Sequence, residues 1–143
     1  MGKLKALVLP SRTQYEAVSD PETRELIDTF FETDYNDRNQ EMTQSELADV
    51  VEQYDVLLST WGSPAINDDI LNRALRLKYF GHAAGSVKRL IPFEAFNKGI
   101  RVFSAASRIA DSVAEYCLAS ILVCLRYLFQ QDDAMKAGEW KID

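Results

Sequence analysis

The chain has 143 residues, enough to bury one sizeable core and too few for two. Its 47% hydrophobic and 27% charged residues are the balance of a soluble globular protein. The net charge of −6 argues against nucleic acid or an anionic membrane surface as the main partner, because both select for an excess of Lys and Arg.

The apolar run Lys5–Leu9 is closed by Pro10 and has no cleavage-type small residues after it, so it reads as a first β-strand rather than a secretory signal. Ser11–Asp20 is polar. Asp20-Pro21-Glu22 starts a helix, with Asp as N-cap and Pro at the first helical position, and Glu25–Phe30 carries it on. Phe31–Tyr35 reads as a second strand and Asn36–Met42 as a polar loop. Thr43-Gln44-Ser45-Glu46 fits a capping box, and Leu47, Val50 and Val51 follow at helical spacing. Asp55–Thr60 is a third strand, broken by Trp61-Gly62-Ser63-Pro64. Asn67-Asp68-Asp69 caps a short helix through Leu75, and Leu77–Gly81 is a fourth strand. His82–Val87 is a loop of small residues, Pro92–Asn97 a helix stopped near Gly99, and Ile100–Phe103 a fifth strand.

Strands alternating with helices imply a parallel sheet with right-handed crossovers. The expected fold is α/β, a flavodoxin-like five-stranded parallel sheet with flanking helices in strand order 2-1-3-4-5. Ligands of such sheets sit outside the carboxyl ends of the strands, which directs attention to the loops after Leu9, Ser59, Gly81 and Phe103. One long apolar helix follows. Asp111-Ser112 starts it, and Val113–Phe129 is apolar on almost every face, so it must be buried on all sides. A five-stranded domain covers one face only, and the rest requires a second domain or a partner subunit. The chain therefore reads as part of a larger protein. Glu115 and Arg126 make the segment a protein-buried helix rather than a membrane span. Cys117 and Cys124 lie seven residues apart on it, about 10 Å of rise and beyond disulfide reach, and read as small buried hydrophobes in a reducing compartment.

Several chemistries of this architecture are poorly matched. A phosphoacceptor receiver needs acidic residues where Leu9-Pro10-Ser11 and Ser59-Thr60 stand, and a flavin-phosphate loop needs glycine within Pro10–Gln14. A phosphotransferase would need a Cys or His in that loop. No G-x-G-x-x-G, P-loop or metal-ligand set occurs. The informative segment is Gly81-His82-Ala83-Ala84-Gly85-Ser86. Its small side chains would leave backbone N–H groups open to a carboxylate, or would simply suit a tight turn. His82, the only histidine, lies at a strand end on the ligand side without a carboxylate to orient it. It either packs at the domain edge or touches a ligand. Trp61 either walls a pocket on the same rim or caps the core beneath it. Arg12, Lys88, Arg89 and Arg108 are cations near these loops, each more often a solvated surface group than an anion trap.

Leu77-Lys78-Tyr79-Phe80, the loop His82–Val87, Lys98-Gly99-Ile100-Arg101-Val102 and Ser112-Val113-Ala114-Glu115-Tyr116 together resemble the D-isomer-specific 2-hydroxyacid dehydrogenase family, in order and spacing, over the last half of the chain. The resemblance implies that residues 1–108 form the substrate-binding (catalytic) domain. Residues 109–143 then form the long helix and the start of a NAD(P)-binding Rossmann domain that lies beyond Asp143. It implies hydride transfer between NAD or NADP and a small 2-hydroxy or 2-keto acid. It also implies a cytoplasmic homodimer joined through the 111–131 helix, with no nucleic-acid or membrane partner and no metal. The family's catalytic Arg, Glu and His fall beyond Asp143, so no catalytic residue is expected in this chain. The amides of Ala84 and Gly85 match the substrate-carboxylate cradle, with Trp61 and His82 on the same substrate-binding rim. Val113 matches a residue packed at the nicotinamide end of the cofactor. Ser86-Val87-Lys88-Arg89 replaces the family's Asp-Asn-[IV]-Asp, and Ile109 replaces an Asn. These departures motivate the alternative of a non-enzymatic flavodoxin-like binding or dimerisation module.

Overall fold

Four helices are started by side chains that take up backbone N–H groups left over at a helix beginning. A computed structural model describes residues 2–140 and shows these caps in place. The last three residues of the expected 109–143 segment lie outside the described residues. Ser11 Oγ accepts from the Gln14 N–H at 3.4 Å and opens α1 (Arg12–Val18), in a stretch expected only to be polar. Asp20 accepts from the Thr23 N–H at 2.8 Å at the head of α2 (Pro21–Phe30). Asn67 does the same for Ile70 at 2.9 Å and opens α4 (Asp68–Arg73).

Before it, at α3 (Gln44–Val50), the capping box is reciprocal. The Glu46 N–H donates to Thr43 Oγ1 at 3.2 Å, and the Thr43 N–H donates to Glu46 Oε2 at 2.7 Å. Arg38 donates to the same carboxylate at 2.6 Å, and this bond, with those from Thr43, brings the Glu46 pKa down to about 2. Thr43→Ala is expected to cost about 1 kcal/mol, read from the urea midpoint. An unchanged midpoint would mean that packing alone holds α3.

The strands are β1 (Leu4–Val8), β2 (Phe31–Tyr35), β3 (Val56–Ser59), β4 (Tyr79–His82) and β5 (Arg101–Ser104). All pair in parallel in the order β2-β1-β3-β4-β5, as the sequence implies. Register and two-residue alternation sort the side chains into faces. Leu7, Leu57, Phe80 and Val102 stand in one row across the sheet. They join Leu47, Val51, Ile70, Leu71, Ile91 and Ala95 in the core, on the side of α3, α4 and α5 (Glu94–Asn97). The opposite row is Tyr35, Val8, Leu58, Gly81 and Phe103. Tyr15 of α1 meets the Tyr35 ring edge-on at 5.6 Å, and Arg24 of α2 sits over the same ring, so these helices lie at the β2 end of that face. Phe103, at the other end, stacks on Tyr79 and is 58% exposed.

The buried Asp55 ties the amino edge of the sheet together. Burial works to raise its pKa. The Lys5 N–H, the Lys78 ammonium at 3.1 Å and the Arg76 guanidinium at 2.8 Å outweigh it and hold the carboxyl below its ordinary value.

The chain divides into two compact units, Met1–Ala106 and Ser107–Asp143. The long apolar helix differs from the sequence expectation in two ways. α6 spans Ala106–Leu125 and so begins before Asp111, and it stops before Phe129. Tyr127 has φ +52°, a left-handed conformation that no continuing helix accepts. A second helix, α7 (Leu128–Lys136), starts there, bent 50° from α6. No single described helix is long and apolar enough to cross a membrane, and α6 with α7 passes that test only as the bent pair. α6 carries no buried residue, and Cys117 and Cys124 are exposed and unbonded rather than buried.

Candidate functional site

The carboxyl ends of β3, β4 and β5 place Ser59, His82 and Ser104 side by side in register. His82 is thus the last residue of β4 rather than the first of the loop, and it is 6% exposed. Its Nδ1 lies 2.9 Å from Ser59 Oγ. The same Oγ lies 3.1 Å from the Gly81 carbonyl oxygen, which can only accept. The serine either gives its proton to that carbonyl and accepts from Nδ1–H, or donates to an unprotonated Nδ1. Burial pushes the histidine below its ordinary value of 6.5 and keeps it neutral.

A sign follows for the pH dependence of stability. A histidine that is harder to protonate when folded makes the unfolded chain the better proton binder as pH falls below 6.5. Stability should therefore drop between pH 7 and the lower folded value, before the depressed carboxylates Asp55, Asp34 and Glu46 begin to titrate. Urea midpoints at pH 7 and pH 5 should differ less in His82→Asn than in the parent, and equal differences would reject a buried neutral imidazole.

The loop after β4 is held from both sides. The Ala83 N–H donates to the Ser59 carbonyl at 2.8 Å, and the Ala105 N–H is shared between the carbonyls of His82 at 3.0 Å and Ala84 at 3.1 Å. At and beyond these anchors the N–H groups of Ala84, Gly85 and Ser86 donate to no described residue. Ala84 is fully buried, whereas Gly85 is half-buried and Ser86 exposed, so a ligand in solution reaches the latter two peptides first. Gly85 needs neither a left-handed backbone nor a close neighbour to explain it. A Cβ built there meets nothing within 4 Å. Gly81, by contrast, is confined, since a Cβ would come 3.0 Å from Leu58 Cδ2.

Trp61 follows β3 on the same edge and is 58% exposed, so it is a rim residue and not a core cap. Lys88, Arg89 and Arg108 are exposed and form no ion pair with a described residue, while Arg12 sits 3.6 Å from Glu16. The structure therefore brings His82, Ala84, Gly85 and Trp61 to one edge, and Val113 lies on α6 in the other unit, 52% exposed. A cleft of about 440 Å³ opens below this edge on the Val8–Leu58–Gly81–Phe103 side. Thr60, among its lining residues, is 1% exposed and its hydroxyl has no partner among the described residues. Sequence reading passed over Ser59 as the partner of the histidine. Equal-length neighbouring strands in the order 3-4 would have put the two side by side.

The family model described as "D-isomer specific 2-hydroxyacid dehydrogenase, catalytic domain" matches residues 13–138. The chain belongs to this family. The D-3-phosphoglycerate dehydrogenase of Methanocaldococcus jannaschii is 31% identical over 99 residues, covering 69% of this chain and 19% of the relative. The glyoxylate reductase of Pyrococcus furiosus is 24% identical over 116 residues, covering 81% of this chain and 34% of the relative. Among solved structures, a protein of Pyrococcus horikoshii superposes with a TM-score of 0.73 at 22% identity, over 99% of this chain and 39% of that one. A phosphoglycerate oxidoreductase from Rhizobium etli gives 0.73 at 19% identity, over 95% and 41%. These two show a common fold. As a member of the 2-hydroxyacid dehydrogenase family, the chain spans between 19% and 35% of the curated relatives it matches.

Proposed function

We propose that this chain supplies the carboxylate-holding part of a dehydrogenase that passes a hydride between NAD or NADP and a small 2-hydroxy or 2-keto acid. The observation that carries the reading is the run of uncommitted amides at Ala84, Gly85 and Ser86, at the carboxyl edge of a parallel sheet in a chain of this family. Successive N–H groups form a concavity suited to an anion, and Lys88 and Arg89 just beyond it add a positive field. Trp61 borders the same rim and would limit the size of the acid's side chain, and Val113 on α6 would meet the nicotinamide end of the cofactor.

The described residues do not fit a whole dinucleotide. No glycine-rich phosphate turn follows any of the five strands, and Val113 offers a single apolar contact. No hydride-transfer step is therefore assigned to side chains of this chain. The cofactor, if bound, supplies the hydride, and this chain orients the acid. Residues 109–143 are assigned to the side of the cofactor domain, and the exposed apolar α6 motivates a homodimer through the 111–131 segment. Two unbonded cysteines agree with a reducing, cytoplasmic setting.

Oxalate is a stable dianion shaped like a 2-keto acid. Titrated into the isotope-labelled chain, it should shift the amide resonances of Gly85 and Ser86 with millimolar affinity, while NADH gives no turnover of glyoxylate or pyruvate. Shifts scattered away from residues 82–89, or none, would reject the cradle. Turnover by the chain itself would reject the assignment of the chemistry elsewhere.

A further inference from the structure

We infer that the Ser59–His82 bond is a strap that sets the geometry of the Ala84–Gly85 cradle, which makes His82 a positioning residue. The inference rests on the cradle reading above and adds to it. Three observations carry it. First, Ser59 grips β4 at two successive residues, through its Oγ to the Gly81 carbonyl and to His82 Nδ1. Its own carbonyl takes the next amide, Ala83. Second, the loop is fixed on its other side by the Ala105 N–H, which clasps the carbonyls of His82 and Ala84. The peptides that follow are therefore cantilevered from a base held on both sides. Third, the ring is buried, and Ser59 Oγ, 2.9 Å from Nδ1, is its one hydrogen-bond partner among the described residues.

A base bonded in this way limits how far the Gly85 peptide can tilt. An anion held by two or three N–H groups needs them aimed at one point, because hydrogen bonds weaken steeply once misaligned. Loss of the strap should then weaken anion binding without touching the anion.

The test uses the full 143-residue chain and four proteins: the parent, Ser59→Ala, His82→Leu and His82→Asn. Asn places an amide N–H near the position of Nδ1 and serves as the rescue. Ser59→Ala and His82→Leu should each weaken oxalate about tenfold and speed hydrogen exchange at Ala83 and Ala105, as expected for losing an aligned pair of hydrogen bonds. His82→Asn should recover affinity to within about threefold of the parent. Oxalate affinity in His82→Leu equal to the parent's overturns the strap. If the parent itself fails to bind oxalate, the cradle reading fails. Exchange at Ala83 and Ala105 then still decides the strap, with rates unchanged in both Ser59→Ala and His82→Leu overturning it.

Discussion

Phe80→Ala should remove about 3–5 kcal/mol of stability, the range for truncating a fully buried aromatic. Phe80 is 0% exposed and stands in β4 between Leu57 of β3 and Val102 of β5, at the middle of the row that faces the core. Its neighbours belong to paired strands and to α3, α4 and α5 above them, and cross-strand hydrogen bonds prevent their backbones from collapsing into the void. The cavity should persist, so both the lost transfer energy and the lost dispersion contacts count in full. Against a usual total of about 5–15 kcal/mol, a loss of this size leaves a visible unfolded fraction at room temperature. The control is Phe103→Ala, on the neighbouring strand β5 but on the opposite face of the sheet and 58% exposed, which should cost far less. Urea unfolding followed through the amide resonances of β3 and β4 reads this unit without interference from α6 and α7. A Phe80→Ala loss no larger than that of Phe103→Ala would show that the core has been placed on the wrong face.

The features that were legible in the sequence share one property: the interaction that makes them is local. Thr43 and Glu46 lie three residues apart, and their reciprocal bonds form as the spacing implies. Phe31–Tyr35 begins and ends where it was expected, because a helix stop and a polar loop bracket it. The strand order is the non-local exception, expected from the flavodoxin-like arrangement that alternating strands and helices fit. What was illegible depends on pairing at a distance or on cooperating weak signals. α1 has only Ser11 as a start signal and no buried residue, so its apolar periodicity is faint. β4 was expected to end at Gly81, and only its register with Ser59 and Ser104 draws His82 into the strand. The break at Tyr127 has no Gly or Pro to announce it, and the apolar pattern runs straight through.

The candidate site divides along the same line. Ala84 and Gly85 stood out because small residues after a strand suggest open amides. Their lack of partners among the described residues depends on bonds made by distant strands, and Ala84 is the least accessible of the three. The histidine was visible as a residue and not as an interaction, since its partner lies 23 positions earlier.

Gly85→Asp should separate folding from binding more sharply than any other substitution in the chain. A Cβ at Gly85 meets nothing within 4 Å, and the residue is not held in the left-handed region that favours glycine. A side chain there is therefore accommodated, and loss of glycine's freedom in the unfolded chain offsets part of any cost. The urea midpoint should stay within about 0.5 kcal/mol of the parent's stability, as for a surface position. Binding should respond in the opposite way. The new carboxylate would occupy the space above the Gly85 and Ser86 amides and repel a second anion. Losing one or two charge-assisted hydrogen bonds, worth about 1.5–3 kcal/mol each, weakens oxalate by at least about tenfold. Gly85→Ala should fall between, with stability equal to the parent's or slightly higher and affinity partly lost. Since nothing within the described chain requires glycine at this position, a stable Gly85→Asp protein with undiminished oxalate binding would leave the glycine without a role here and would remove the cradle as the site. A protein that folds as before and no longer shifts at residues 82–89 would assign the open space over Gly85 to the acid.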